Sequence, residues 1–181
     1  GDKVIPIIAP AFWGQFGDKV TAGQLKTAME MLGFCGIEEV AIGADLCAIE
    51  EAEEFLESVP EKQPFMGTSC CPAWSVMAKT EFPGFAPYIS MTMTPMVLTA
   101  RLVKRRNPGC RIAFIGPCAA KKLEASRRSV RSEVDFVLTF EELRGMFEAK
   151  NIDLEKVEDS PSHYEASAPG VGFAAGGGVA K

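Results

Sequence analysis

The 181 residues are enough for one domain with a substantial core and too few for two. With 19 Lys and Arg against 24 Asp and Glu, the formal charge of -5 argues against a general nucleic-acid binder, and 12 Phe within a 47% hydrophobic composition exclude a disordered chain. A single His excludes His-rich zinc sites and relays built from several imidazoles, which leaves six Cys as the source of soft-ligand chemistry.

Val4 to Ile8 reads as a buried strand, with Pro6 pointing to an edge or strand end, and Ala9-Pro10-Ala11 as the turn after it. Thr21 and Gln24 form a capping box ahead of a helix with Leu25, Ala28, Met29 and Leu32 inward, stopped by Gly33. Val40-Ala41-Ile42 reads as the next strand, with Asp45 capping a helix to about Glu57 whose inward residues are Ile49, Ala52, Phe55 and Leu56. Gln63 to Thr68 reads as a short strand, and helices start at Pro72 and, after Thr94, at Pro95. Arg111 to Ile115 is a strand, Ala119 to about Arg128 a helix, Val134 to Leu138 a strand, and the Thr139/Glu142 capping box opens a last helix to about Lys150. This alternation predicts an α/β fold with a mostly parallel sheet and helices on both faces, residues 1–181 forming a single unit. From 160 to 181 only Glu165 and Lys181 are charged and glycine is frequent, as in a loop cut short before its next helix.

Cys35, Cys47, Cys70, Cys71, Cys110 and Cys118 nowhere form the CxxC spacing of zinc ribbons or thioredoxin-type pairs, and no signal peptide opens the chain. The longest uncharged stretch, Phe82 to Ala100, carries three Pro and makes a poor membrane helix. The reading is a cytoplasmic protein with free thiols and no membrane span.

Thr68-Ser69-Cys70-Cys71-Pro72-Ala73-Trp74 stands where a strand gives way to a helix, where backbone amides and the helix dipole lower a thiol's pKa and suit it to metal or nucleophilic chemistry. Gly116-Pro117-Cys118-Ala119-Ala120-Lys121 repeats the arrangement, with Lys121 one turn on. In a parallel sheet both corners lie at carboxyl ends of strands, so Cys71 and Cys118 can converge on one rim. Cys35, Cys47 and Cys110 read as small buried thiols, Trp74 as packing, and His163 as a surface residue. Glu51 and Glu54 belong to an acidic run whose default is a solvated helix face, and Ser90 alone is an ordinary loop hydroxyl. Ten Lys and Arg between Arg101 and Arg131 read as a solvated basic face, with docking of an acidic electron carrier as the alternative.

The two Cys motifs, the second running on as Lys121-Lys122-Leu123-Glu124, together resemble the first two signatures of the iron-only (FeFe) hydrogenase catalytic domain. Ala9-Pro10-Ala11, Gly43-Ala44-Asp45-Leu46 and Phe173 with the tail glycines follow the family's order. The resemblance implies a 4Fe-4S cubane held by four thiolates and joined to a two-iron unit with carbonyl, cyanide and a dithiolate bridge. By position, Cys71 and Cys118 resemble two cubane ligands, and Cys70 resembles the thiol that passes protons to the two-iron unit. Lys121 looks like the donor to an iron cyanide, Ala9 with Pro10 like the segment lining the dithiolate, and Glu51, Glu54, Ser90 and Cys70 like the proton path. Thiolates suit iron-sulfur clusters and a cation suits a cyanide.

The resemblance implies H2 and protons as substrates, a ferredoxin-like electron carrier or a signalling domain as partner, and cluster maturation proteins. The family's third motif, with the other two cubane cysteines, has no counterpart in these residues, so the chain reads as the N-terminal part of such a domain. Gly116 stands where catalytic members usually carry Met and Met93 where they usually carry Lys, which is more like the family's sensory branch. The alternatives are a hydrogen-sensing module, a non-catalytic hydrogenase-like iron-sulfur protein similar to eukaryotic assembly proteins, and a metal-free thiol enzyme built on Cys70. The last lacks a His base.

Overall fold

The computed structural model describes residues 2–161 and 166–175. His163 and the glycines at 176–178 lie outside the described residues. Four strands, β1 (Val4–Ile8), β2 (Glu38–Glu39), β3 (Arg111–Gly116) and β4 (Phe136–Thr139), form one sheet in the order β2-β1-β3-β4 with every pairing parallel. The helices are α1 (Ala22–Met31), α2 (Val40–Ser58), α3 (Pro72–Glu81), α4 (Pro95–Arg106), α5 (Ala120–Ser126), α6 (Phe140–Ala149) and α7 (Ala168–Gly172). Consecutive buried residues in β1 and β3 mean that both faces of the central strands are covered, as the α/β reading expects. Pro6 lies in a central strand rather than at an edge, against the sequence reading.

Ile7, Ile112 and Ile115 from the sheet meet Leu25, Ala28 and Met29 of α1, Met96, Val97 and Val103 of α4, and Phe140, Leu143 and Phe147 of α6 in one core. Each such large side chain contributes roughly 1.5–3 kcal/mol of transfer free energy. Both capping boxes form: Thr21 Oγ1 accepts from the Gln24 amide at 3.0 Å, and Thr139 Oγ1 from that of Glu142 at 3.2 Å. Among the described residues no helix is long and apolar enough to cross a membrane.

The second unit departs from the sequence reading. The strand is only Glu38–Glu39, and Val40, Ala41 and Ile42 already belong to α2. Asp45 lies inside that helix instead of capping it, and Ile49, Ala52, Phe55 and Leu56 face outward, Leu56 being 79% exposed. The reason is Gly43: a Cβ there would lie 2.2 Å from Thr99 Oγ1 and 2.4 Å from the Pro95 carbonyl. Contact that close with α4 demands the small stripe Gly43, Ala44 and Cys47, and turns the bulky residues away. The strand read at 63–68 is a single parallel bridge between Gly67 and Ile89, because exposed Pro64 has no amide for a ladder. Helix α5 ends at Ser126, short of Arg128, and β4 begins at Phe136, two residues after Val134. Asp135 is drawn out of the strand, its carboxylate accepting the Ile112 amide at 2.8 Å and pairing with Lys104 at 3.0 Å.

Candidate functional site

The sheet order makes β1 and β3 neighbours although the chain leaves β1 for β2 on the other side, so a crevice opens beyond their carboxyl ends. A cavity of about 240 Å³ lies there, lined by Ala9 and Pro10 after β1, by Cys70 and Cys71 before α3, and by Pro117, Cys118 and Lys121 after β3. Val40, Met96 and Phe114 complete an apolar wall. All six cysteines are free.

The first corner is braced from several sides. Ser69 Oγ donates to the Thr92 carbonyl at 3.1 Å, and Trp74 Nε1 donates to the Thr68 carbonyl at the same distance. Trp74 is half exposed, so it ties the loop rather than filling the core. Cys71 is the N-cap of α3, followed by Pro72 at N1, and its thiol makes no capping hydrogen bond. At the second corner the cap is Ala119, already in helical geometry, so Cys118 lies one residue further from the helix end than the sequence reading places it. Burial pushes the Cys70 thiol above its ordinary pKa, with the Thr68 hydroxyl and Lys121 opposing and the charges of Glu51 and Cys71 adding to the rise. The lowering expected at a helix start is overridden at Cys70, which holds its proton at neutral pH.

Lys121 Nζ donates to the Cys70 carbonyl at 2.9 Å and to Glu124 Oε2 at 2.7 Å. The other Glu124 oxygen accepts from Thr94 Oγ1 at 2.5 Å, and Glu124 is only 4% exposed. An ammonium has three donors, so the third is left for the cavity. The i,i+3 spacing of Lys121 and Glu124 is the sequence signal for this pair.

Behind the cavity, Glu51 is buried and its Oε1 accepts the Ser69 amide at 3.5 Å. Glu54 Oε2 accepts from Ser90 Oγ at 2.5 Å and Thr92 Oγ1 at 3.1 Å, and Ser90 itself is buried. Glu51 is buried and Glu54 half-buried and held by two hydroxyls, which corrects the solvated-face reading for these two, while Glu50 and Glu53 of the same run are exposed. Burial raises the Glu51 pKa, with the Ser69 amide opposing and Glu54 reinforcing. A carboxyl that binds its proton more tightly in the folded chain favours folding at low pH, and that advantage fades as pH rises from the ordinary carboxylate range through the raised value. Glu51→Gln keeps the acceptor for Ser69 but cannot ionise. It is expected to raise the thermal midpoint at neutral pH and to match the wild type below about pH 3. Melts followed by circular dichroism across pH check this, and equal midpoints at neutral pH would contradict it.

Residues 2–181 match the family model described as iron only hydrogenase large subunit, C-terminal domain. The chain belongs to this family. Iron hydrogenase 1 of Clostridium pasteurianum is 33% identical over 180 residues, covering 91% of this chain and 31% of that protein. A cytosolic Fe-S cluster assembly factor of Kluyveromyces lactis is 34% identical over 99 residues, covering 55% of this chain and 21% of that one. Among solved structures, a variant of an apo FeFe-hydrogenase from Chlamydomonas reinhardtii matches with a TM-score of 0.80 at 25% identity, over 90% of this chain and 47% of its own. The chain spans less than half the length of each.

For this hydrogenase-like domain, the donor chemistry of the cavity fits an iron-sulfur cluster in part. Cys71 and Cys118 supply two thiols to one apolar space, while the described residues contain no group of three or more His, Cys, Asp or Glu able to hold a metal ion. Four residues named in the sequence take on roles that only the packing shows. Cys47 lies one helical turn from Glu51 on α2, and burial, with the charges of Glu51 and Cys70 adding to it, pushes its thiol up to about 12. Cys110 is buried as expected, whereas Cys35 is exposed. Asp45 accepts the Ser167 amide at 2.8 Å and also its hydroxyl, fixing the segment from which Phe173 and Ala174 reach the cavity wall. At Gly116 a Cβ would lie 2.6 Å from the ring of Phe114, so that ring fills the space a larger residue 116 would need.

Proposed function

We propose that residues 1–181 are the N-terminal part of a catalytic domain whose full-length parent interconverts H2 with protons and electrons. The observation that carries this is the meeting of Cys70, Cys71, Cys118 and Lys121 with Ala9 and Pro10 around one cavity at the switch point of the sheet. Cys71 and Cys118 would hold iron of a 4Fe-4S cluster, with the remaining ligands coming from elsewhere in the parent. The joined two-iron unit, with its carbonyl, cyanide and dithiolate ligands, supplies the hydrogen chemistry when bound.

The chain's own residues hold and move protons. Cys70 keeps its proton in the cavity, Glu51 sits behind the adjoining Ser69, and Ser90 couples to Glu54 through a 2.5 Å hydrogen bond. Transfer from Glu54 and Ser90 to Glu51 and Cys70 uses bridging water where no direct bond exists. Lys121, oriented by Glu124, presents a cationic donor that suits an anionic ligand such as cyanide, and Ala9 with Pro10 offers an apolar flank to the dithiolate. The partners are a ferredoxin-like electron carrier and maturation proteins, in the cytoplasm.

A slower, hydrogen-sensing parent with a signalling domain is the second reading, favoured by Gly116 and by the Phe114 ring that takes the space of a larger side chain beside the cavity. A non-catalytic iron-sulfur role has the similarity to the assembly factor in its favour, while Cys70 and Lys121 in the cavity weigh against it. The test is to express the full-length parent, supply iron and the two-iron precursor without oxygen, and record infrared spectra and hydrogen evolution. Carbonyl and cyanide bands with fast turnover support the enzyme, bands with slow turnover the sensor, and neither overturns both.

A further inference from the structure

Next to the thiol cavity, on the other side of Pro72, lies a second and larger pocket of about 450 Å³, whose lining shares Ser69 and Ser90 with the proposed proton path but whose cations the hydrogen chemistry does not use. Its cations are Lys79 on α3, Arg101 on α4 and Arg127 just after α5. The one carboxylate in its lining, Glu124, is already engaged by Lys121 and Thr94. None of the three cations has a carboxylate partner among the described residues. Lys79 reaches only the Met91 sulfur, at 3.8 Å, and Arg101 donates to the Met93 sulfur and to the carbonyls of Val130 and Arg131, leaving its buried Nε without a partner. Three uncompensated positive charges around one concavity are conspicuous in a chain of net charge -5. Grouped cations in a cleft with low-dielectric walls focus a positive potential.

We propose that this pocket binds a small phosphate-bearing anion. Two guanidiniums and an ammonium match the charge and multiple acceptors of a phosphate group, and the hydroxyls of Ser75 and Ser129 on the rim add neutral donors. The volume exceeds that of a lone phosphate, and Val97 and Met91 give an apolar wall against which an organic part of the ligand packs. Arg101 is anchored inward by two backbone carbonyls, so the positive charge is recessed, which suits a molecule that enters the pocket over a flat protein surface. The proposal rests on the three cations, none of which has a part in the proposed iron chemistry.

Isothermal titration of the chain with inorganic pyrophosphate at constant ionic strength tests it. One saturable site is expected, weakened about tenfold or more by Arg127→Gln and by Lys79→Gln and unchanged by Lys62→Gln, which removes a charge outside the pocket. Arg101→Gln should act more strongly, but Arg101 also ties down the 130–131 loop, so the two more peripheral variants decide the matter. Parallel titrations identify the source: ADP binding more tightly than pyrophosphate indicates a ligand whose organic part uses the apolar wall, and equal affinities indicate the free oxyanion. No saturable binding, or binding that Lys62→Gln weakens as much as Arg127→Gln, overturns the proposal.

Discussion

Cys70→Ala in the iron-loaded full-length parent is expected to lower hydrogen turnover by about 10²–10⁴-fold, the usual range for removing a positioned proton donor, while leaving iron content unchanged. The two halves of the expectation come from different atoms. On the proposed assignment iron retention would rest on Cys71 and Cys118, which line the same cavity but belong to the cap of α3 and the turn before α5. Proton delivery would rest on Cys70, whose burial keeps it a thiol rather than a thiolate. Cys70→Ser restores a proton-bearing group and should recover part of the rate, with an altered pH profile because a hydroxyl titrates far above a thiol. Iron determination, infrared spectra and turnover against pH check all three. Turnover of the Ala variant within a factor of two of wild type would remove Cys70 from the proton path.

The second large effect is on stability. Lys121→Met leaves Glu124, 4% exposed, with Thr94 as its remaining side-chain partner. Removing one member of a buried ion pair costs about 3–5 kcal/mol, because the remaining charge is left poorly compensated in a low-dielectric setting. For a chain of this size the thermal midpoint should fall by roughly 6–20 °C. Lys121→Met combined with Glu124→Leu removes both charges and should return to within about 1 kcal/mol of wild type, since buried pairs often contribute little net stability over apolar replacements. Denaturant titration of the single and double variants measures the coupling. A loss below about 1 kcal/mol in the single variant would mean that Glu124 finds water or another donor. In the parent the single variant also removes the cationic donor facing the cavity, so stability and cofactor retention should fall together.

Much of the framework is legible from local patterns. The apolar runs at 5–8 and 112–115 are strands because each residue is buried on a two-sided central position, and a run without polar alternation announces that. The capping boxes at Thr21 and Thr139 form because their partners are three residues away, within reach of any chain that starts a helix there. Val40-Ala41-Ile42 carries strand propensity yet opens α2, and the inward face of that helix departs from apolar size, the usual guide, because Gly43 lets two helices touch backbone to side chain. The acidic run at 50–54 reads as solvated by composition, and only the tertiary structure, which brings Ser69, Ser90 and Thr92 against it, buries Glu51 and engages Glu54.

By itself the sequence determined the α/β class, the two strand-Cys-helix corners and the identity of the thiols and lysine there, since these depend on residue order and local chemistry. Only the tertiary structure decided that β1 and β3 are neighbours, which brings Ala9, Cys71, Cys118 and Lys121 around one cavity, and that Glu124 neutralises Lys121 while Lys79, Arg101 and Arg127 have no carboxylate partner among the described residues. The physical reason is range. Turns and caps are satisfied within a few residues, whereas strand order, burial and the pairing of charges are settled by contacts between segments far apart in the chain.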